Sequence, residues 1–89
     1  MYVHIGKDYI INSKDIIAIL DINCLKKKKN LEKICQDLKI NDNIINVSDG
    51  NEKTLIITQD KYKVNKGYIS NISSITLGKR TLKYERMEK

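Results

Sequence analysis

Lys26-Lys27-Lys28-Lys29 is the stretch whose residue types point most directly to chemistry. Like charges repel along a chain, and cations at a helix N-terminus oppose its macrodipole by about 0.3–1 kcal/mol each. A fold alone gains nothing from such a run, whereas a polyanion supplies the missing countercharge. A solvated loop in a lysine-rich, AT-biased proteome would look the same. The C-terminal stretch adds Lys79, Arg80, Lys83, Arg86 and Lys89 against Glu85 and Glu88. Tyr84 stands among them. Basic groups around an aromatic can hold single strands by stacking, but one tyrosine reads first as an anchor. Between residues 40 and 60 the only cation is Lys53.

Phosphate contact needs only a cation within reach of a nucleic-acid backbone, so lysine suffices. Sequence readout prefers the bidentate fork of arginine, which only Arg80 and Arg86 could supply. This balance favours electrostatic, weakly specific binding. Catalytic chemistry has little to work with. His4 is the single histidine and lies in a β-prone segment, where a half-buried, hydrogen-bonded imidazole is the plain reading. Cys24 and Cys35 form no CxxC pair and read as reduced structural thiols. Zinc needs about four N or S ligands, which one histidine and two scattered cysteines do not provide. Glu32, Asp37, Asp42 and Asp49 match no metal loop, and neither GxGxxG nor GxxxxGK[ST] occurs. The expectation is no enzyme, no catalytic residue, no metal, no cofactor and no small-molecule substrate.

The elements that must position the lysines follow from patterning. The chain has 89 residues, a net charge of +6 and 40% apolar residues, which suits one small folded domain and not a disordered tail. No apolar run approaches the ~20 residues of a membrane span, and Met1 to Lys7 lacks the order of a signal peptide. The expectation is a cytoplasmic protein. Residues 2–11 alternate around the turn Gly6-Lys7-Asp8 and read as a hairpin. Asp15 to Asn23 is rich in β-branched isoleucine and reads as a strand, with a short helix over residues 13–20 as the other reading. Leu31, Ile34, Cys35 and Leu38 share one helical face. That helix starts at Asn30 or within the lysine run and ends at Asn41-Asp42-Asn43. Ile44 to Val47 and Leu55 to Thr58, joined by Ser48-Asp49-Gly50-Asn51, read as a second hairpin. Asp60 to Gly67 reads as a turn and short strand. Ser70 or Asn71 would cap a last helix carrying Ile72, Ile75 and Leu77, interrupted at Gly78. The expected fold is α+β, with short antiparallel strands and two helices. Its single domain spans residues 1–81, and residues 82–89 form a charged tail.

Three segments carry a resemblance. The first is Met1-Tyr2-Val3-His4-Ile5-Gly6, with Tyr9-Ile10-Ile11 and Ser13-Lys14-Asp15-Ile16-Ile17-Ala18-Ile19. The second is Gly50-Asn51-Glu52-Lys53-Thr54-Leu55-Ile56-Ile57-Thr58. The third is Ser73-Ser74-Ile75-Thr76-Leu77-Gly78-Lys79-Arg80. Their order and spacing resemble the bacterial extracellular-matrix-regulator proteins of the RemA/RemB type, closest to the RemB branch. The resemblance implies a small α+β domain of LytTR-like architecture that assembles into ring-shaped homo-oligomers. On the RemA side it implies transcriptional regulators of biofilm-matrix genes that bind DNA along a basic rim.

RemA-type proteins place DNA-contacting arginines after the second strand and in the turn before the apolar strand. Here Lys14 offers a cation in the first segment, but Asp15 stands at the arginine position. In the second segment Asn51-Glu52 replaces paired arginines, and Lys53 is the nearby cation. The expected partners are double-stranded DNA and further copies of the chain, with nucleoid association following from the DNA. The expected phosphate contacts are Lys14 and Lys53 from the resemblance, and Lys26, Lys27, Lys28, Lys29, Lys79 and Arg80 from charge placement. The competing expectation is a non-catalytic protein-interaction module that serves another regulator without touching DNA.

Overall fold

The computed structural model describes residues 1–27, 31–40 and 42–87. Strand β1 (Tyr2–Gly6) and strand β2 (Tyr9–Asn12) form the expected hairpin. Val3, Ile5 and Ile11 point inward and are buried; Tyr2, His4 and Ile10 point out. The turn relies on Gly6, whose φ is +135°. A Cβ on Gly6 would sit 2.7 Å from the Val47 carbonyl oxygen. His4 is exposed, not half-buried, and its Nε2 bonds the Lys7 carbonyl at 2.6 Å.

A single 3-10 turn, Ser13–Asp15, follows, with Asn12 Oδ1 accepting from the Lys14 N–H. Strand β3 (Ile16–Asp21) then runs as the isoleucine content predicts. Asp21 ends it by turning its carboxylate onto the N–H groups of Asn23 and Cys24. That is a helix N-cap, and it opens helix α1 (Ile22–Lys27), which patterning did not separate from the later helix.

Helix α2 (Leu31–Asp37) buries Cys35 and half-buries Ile34 and Leu38, as its spacing predicts. It stops earlier than Asn41. Lys39 takes φ +57°, its N–H bonds the Gln36 carbonyl, and the Ile40 N–H bonds the Cys35 carbonyl. This is a Schellman closure with a lysine in the left-handed position. Its apolar clasp is Ile40 in one cluster with Cys35.

Strand β4 (Ile44–Asn46), strand β5 (Thr54–Gln59) and strand β6 (Asn65–Ser70) complete a four-stranded sheet in the order β3-β5-β6-β4. The expected hairpin over residues 44–58 does not form. The Gly50 turn is present, but Lys53 bonds the Ser70 carbonyl through its own N–H. That carries β5 past β6, so β4 pairs with β6 in parallel and β5 pairs with β3 and β6 antiparallel. The strand expected to end at Gly67 continues through Tyr68 and Ile69 to Ser70.

Helix α3 (Ser74–Met87) is capped by Ser73, whose Oγ accepts from the Thr76 N–H, and not by Ser70 or Asn71. Ser70 is already committed: its hydroxyl donates to the Ile5 carbonyl and accepts from the Ile72 N–H. The helix runs straight through Gly78. A mid-helix glycine costs about 1 kcal/mol against alanine, which weakens a helix without breaking it. The expected tail is helical as far as Met87. Leu77 is buried and Ile75 is 70% exposed, because residues two apart cannot share a helical face.

Two apolar clusters sandwich the sheet. One joins Val3, Ile5, Ile11, Val47, Ile56, Tyr68 and Leu77 beneath the hairpin and α3. The other joins Ile22, Cys35, Ile40, Leu55 and Ile57 beneath α1 and α2. The architecture is α+β, and among the described residues there are three α-helices in place of the expected two. Among the described residues no helix is long and apolar enough to cross a membrane.

The two turn glycines differ in a way unfolding can read. Gly50 (φ +87°) has open space around its Cβ position, so Gly50→Ala is expected to cost about 1 kcal/mol of backbone strain. Gly6→Ala adds a clash with backbone and is expected to cost about 3 kcal/mol or more. Urea midpoints at unchanged m-value check this; equal shifts would contradict the close approach at Gly6.

Candidate nucleic-acid interface

Register places the cations. Ile16 and Thr58 are partners at one end of the β3–β5 ladder, and Asp21 and Thr54 at the other. Those ends lie roughly 13 Å apart, at about 3.3 Å of strand rise per residue. Lys14 precedes Ile16 and lies at the first end. Lys53 precedes Thr54 and lies at the second. The two lysines taken from the resemblance therefore occupy opposite ends of the sheet within one copy.

The end that holds Lys53 is acidic. Asp21 closes β3 there, and the Gly50 turn adds Asp49 and Glu52. The β1–β2 turn brings Asp8 and also Lys7, whose Nζ meets Asp49 at 3.3 Å. The β1–β2 turn reaches this end because Ser70 holds the Ile5 carbonyl. Glu52 is half-buried and accepts from Asn46 Nδ2 at 3.0 Å. The Lys53 backbone is fixed on both sides, its carbonyl accepting from the Ile22 N–H and its own N–H donating to Ser70. Its side chain is exposed.

The opposite end is basic. Residues 60–64 join β5 to β6 and present Lys61, Tyr62 and Lys63, all exposed. Lys66 follows in β6, opposite Thr58. Asp60 Oδ1 accepts from the N–H groups of Tyr62 and Val64, and Lys63 takes φ +62°. Lys61 Nζ lies 5.1 Å from the centre of the Tyr62 ring, a cation–π contact. Lys39 joins this end, since Asn65 Nδ2 donates to the neighbouring Leu38 carbonyl. Asp15, Asp37, Asp42 and Asp60 are its acids. Lys61, Lys63 and Lys66 are not among the contacts expected from the sequence. The usable signal was Lys-Tyr-Lys between two strand-like runs: a turn that exposes an aromatic between cations is an unusual outlay for a fold.

Of the other expected contacts, Lys79 and Arg80 are exposed on α3. Arg80 Nη1 donates to the His4 carbonyl at 2.8 Å, so its guanidinium also pins the helix to β1. Lys26 and Lys27 belong to the last turn of α1. Cations are favourable at a helix C-terminus, so the argument from an opposed macrodipole does not hold for these two. Lys28 and Lys29 lie outside the described residues. Among the described residues, no ion pair engages Lys14, Lys53, Lys61, Lys63, Lys66 or Lys79.

The amino-acid sequence matches a known family. The model of the RemA-like family, extracellular matrix regulatory protein A-like, matches residues 2–81. Extracellular matrix regulatory protein B of Bacillus subtilis (strain 168) is 30% identical over 82 residues, covering 90% of this chain and 89% of that protein. The chain belongs to the RemA-like family of extracellular matrix regulatory proteins.

That membership sharpens the meaning of the Gly50 turn. The resemblance puts paired arginines where this member has Asn51-Glu52, and the surrounding acids make the turn anionic. Among the described residues no group of three or more His, Cys, Asp or Glu comes together to hold a metal ion. Cys24 and Cys35 are free thiols, the first exposed and the second buried. Burial pushes the Cys35 thiol up from its ordinary range, leaving less reactive thiolate at a given pH. A thiol reagent such as DTNB at pH ~8 is expected to titrate Cys24 in the native protein and Cys35 only after unfolding. Cys24→Ser should abolish the fast phase; a fast phase that survives would contradict the burial of Cys35.

Proposed function

We propose that this chain is a non-catalytic DNA-binding transcriptional regulator of the extracellular-matrix type, acting as a homo-oligomer through phosphate-backbone contacts. The observation that carries the reading is a set of exposed lysines on separate elements, unpaired among the described residues, in a member of a matrix-regulator family. Fold stability gives no reason to keep such charges apart from acids, whereas a polyanion does. Each cation that reaches a phosphate releases condensed counterions, and the released ions drive association. Lysine in place of arginine keeps the contact electrostatic and weakly sequence-selective.

One copy offers few contacts, so repetition is part of the reading. Strands β3 and β4 are the open edges of the sheet, and unpaired edges favour pairing or cover. Tyr2, Ile10, Ile17 and Ile75 are 52–70% exposed, which leaves apolar surface for association. Linked copies on one duplex raise effective concentration without any new contact. The same exposed apolar residues support the second reading, a protein-interaction module that serves another regulator. A regulator on chromosomal DNA would work in the cytoplasm, at the nucleoid.

Fluorescence anisotropy with a random-sequence duplex across salt concentrations tests the reading, with light scattering for assembly. The expected result is binding whose log K falls with log salt by about 0.9 per phosphate engaged. The slope should exceed what one copy's lysines can supply. Lys14→Ala should lower it without changing assembly. No binding at low salt would overturn the DNA reading and favour the interaction module.

A further inference from the structure

We infer that the β5–β6 hairpin tip is the element that grips the DNA backbone, through Lys61, Lys63 and Lys66 together with Lys14, and that the duplex lies across this end of the sheet and away from the Gly50 turn. The inference rests on the DNA reading above and specifies which surface carries it.

Register is the first support. Thr58 pairs with Ile16 on one side and Lys66 on the other, so Lys14 and Lys66 flank the strand that leads into the tip. Lys61 and Lys63 then extend beyond the last ladder pair, Gln59 with Asn65. Exposed cations that precede β3, lie in the β5–β6 turn and stand near the start of β6 thus gather at one end of the sheet. Charge contrast is the second support. At the far end Lys53 sits with Asp8, Asp21, Asp49 and Glu52, and Lys7 is engaged by Asp49. A phosphate approaching there meets repulsion that Lys7 and Lys53 do not cancel. Within one copy, a straight backbone cannot favour both ends.

Pre-organisation is the third support. The acid nearest the tip, Asp60, is turned inward, with Oδ1 held by the Tyr62 and Val64 N–H groups. Those bonds fix the loop and spread its negative charge onto backbone dipoles. Tyr62 is 74% exposed, and Lys61 lies over its ring. A lysine held against an aromatic face gives up less rotamer freedom on meeting a phosphate. Burying an exposed tyrosine against the sugar-phosphate edge adds contact without base selectivity. The contact is therefore to backbone and tolerates any sequence.

The test compares Lys61→Ala/Lys63→Ala/Lys66→Ala with Lys53→Ala on the same random duplex, with thermal melting and light scattering to hold fold and assembly in view. The expected result is a loss of at least about tenfold in affinity for the triple variant. Its salt slope should fall by about 0.9 for each lysine that touched a phosphate. Lys53→Ala should stay within about twofold of the unsubstituted protein, and Lys61→Arg/Lys63→Arg/Lys66→Arg should bind as it does. Binding and slope unchanged in the triple alanine variant would overturn the hairpin assignment while leaving the DNA reading intact. So would a loss in Lys53→Ala alone. Absence of binding by the unsubstituted protein would remove the DNA reading, and this assignment with it.

Discussion

Strand β5 must be buried on both faces, and most of the molecule follows from that. Leu55, Ile56 and Ile57 are each at most 1% exposed, and no antiparallel hairpin alone could cover them. Ile56 needs a layer on one side, supplied by the β1–β2 hairpin and α3. Leu55 and Ile57 need a layer on the other, supplied by α1 and α2. Each such side chain contributes about 1.5–3 kcal/mol when fully buried, and a domain of 89 residues has few to spare. With both faces taken, the surfaces left for partners are the sheet's ends, its open edges and the outer sides of the β1–β2 hairpin and the helices.

That requirement also explains where patterning misled. A run of apolar residues next to a glycine turn reads locally as one arm of a hairpin, and Ile44–Val47 was the natural other arm. A strand buried on both faces seeks neighbours by what covers them, and sequence adjacency gives no information on cover. Thr54 and Ser70 decide the pairing: both are fully buried, with hydroxyls satisfied by the Ile72 and Ile5 carbonyls. These two bonds stitch the start of β5 and the end of β6 to the layer above. They span 18 and 65 residues, beyond any window of local pattern. By contrast β1, β3 and the face of α2 were legible, because alternation and 3.6-residue spacing are local properties.

The candidate site divides the same way. Lys14 and Lys53 were visible as cations next to expected strands, yet their separation by a strand's length was not, since it depends on register. The lysine run drew attention through its density. Lys26 and Lys27 stand at the end of a helix and not at its beginning, so they do not oppose its macrodipole. Lys61, Lys63 and Lys66 were passed over because no run marks them. They gather only when a turn folds them beside Lys14.

The polarity of the sheet offers a physical reason why this member tolerates Glu52 where the family resemblance calls for a cation. A family contact at the Gly50 turn would require that end to be positive. Here Asp21 cannot be given up, because it caps α1, and Glu52 is tied to Asn46, whose own side-chain oxygen holds the buried Ser48. Asp21 and Glu52 are therefore structural parts of the strand end and the turn. On the proposed DNA reading, a chain whose carboxylates hold one end of the sheet gains by placing phosphate contact at the other. There the one acid in the tip is occupied by the loop it closes, and among the described residues the lysines have no acidic partner.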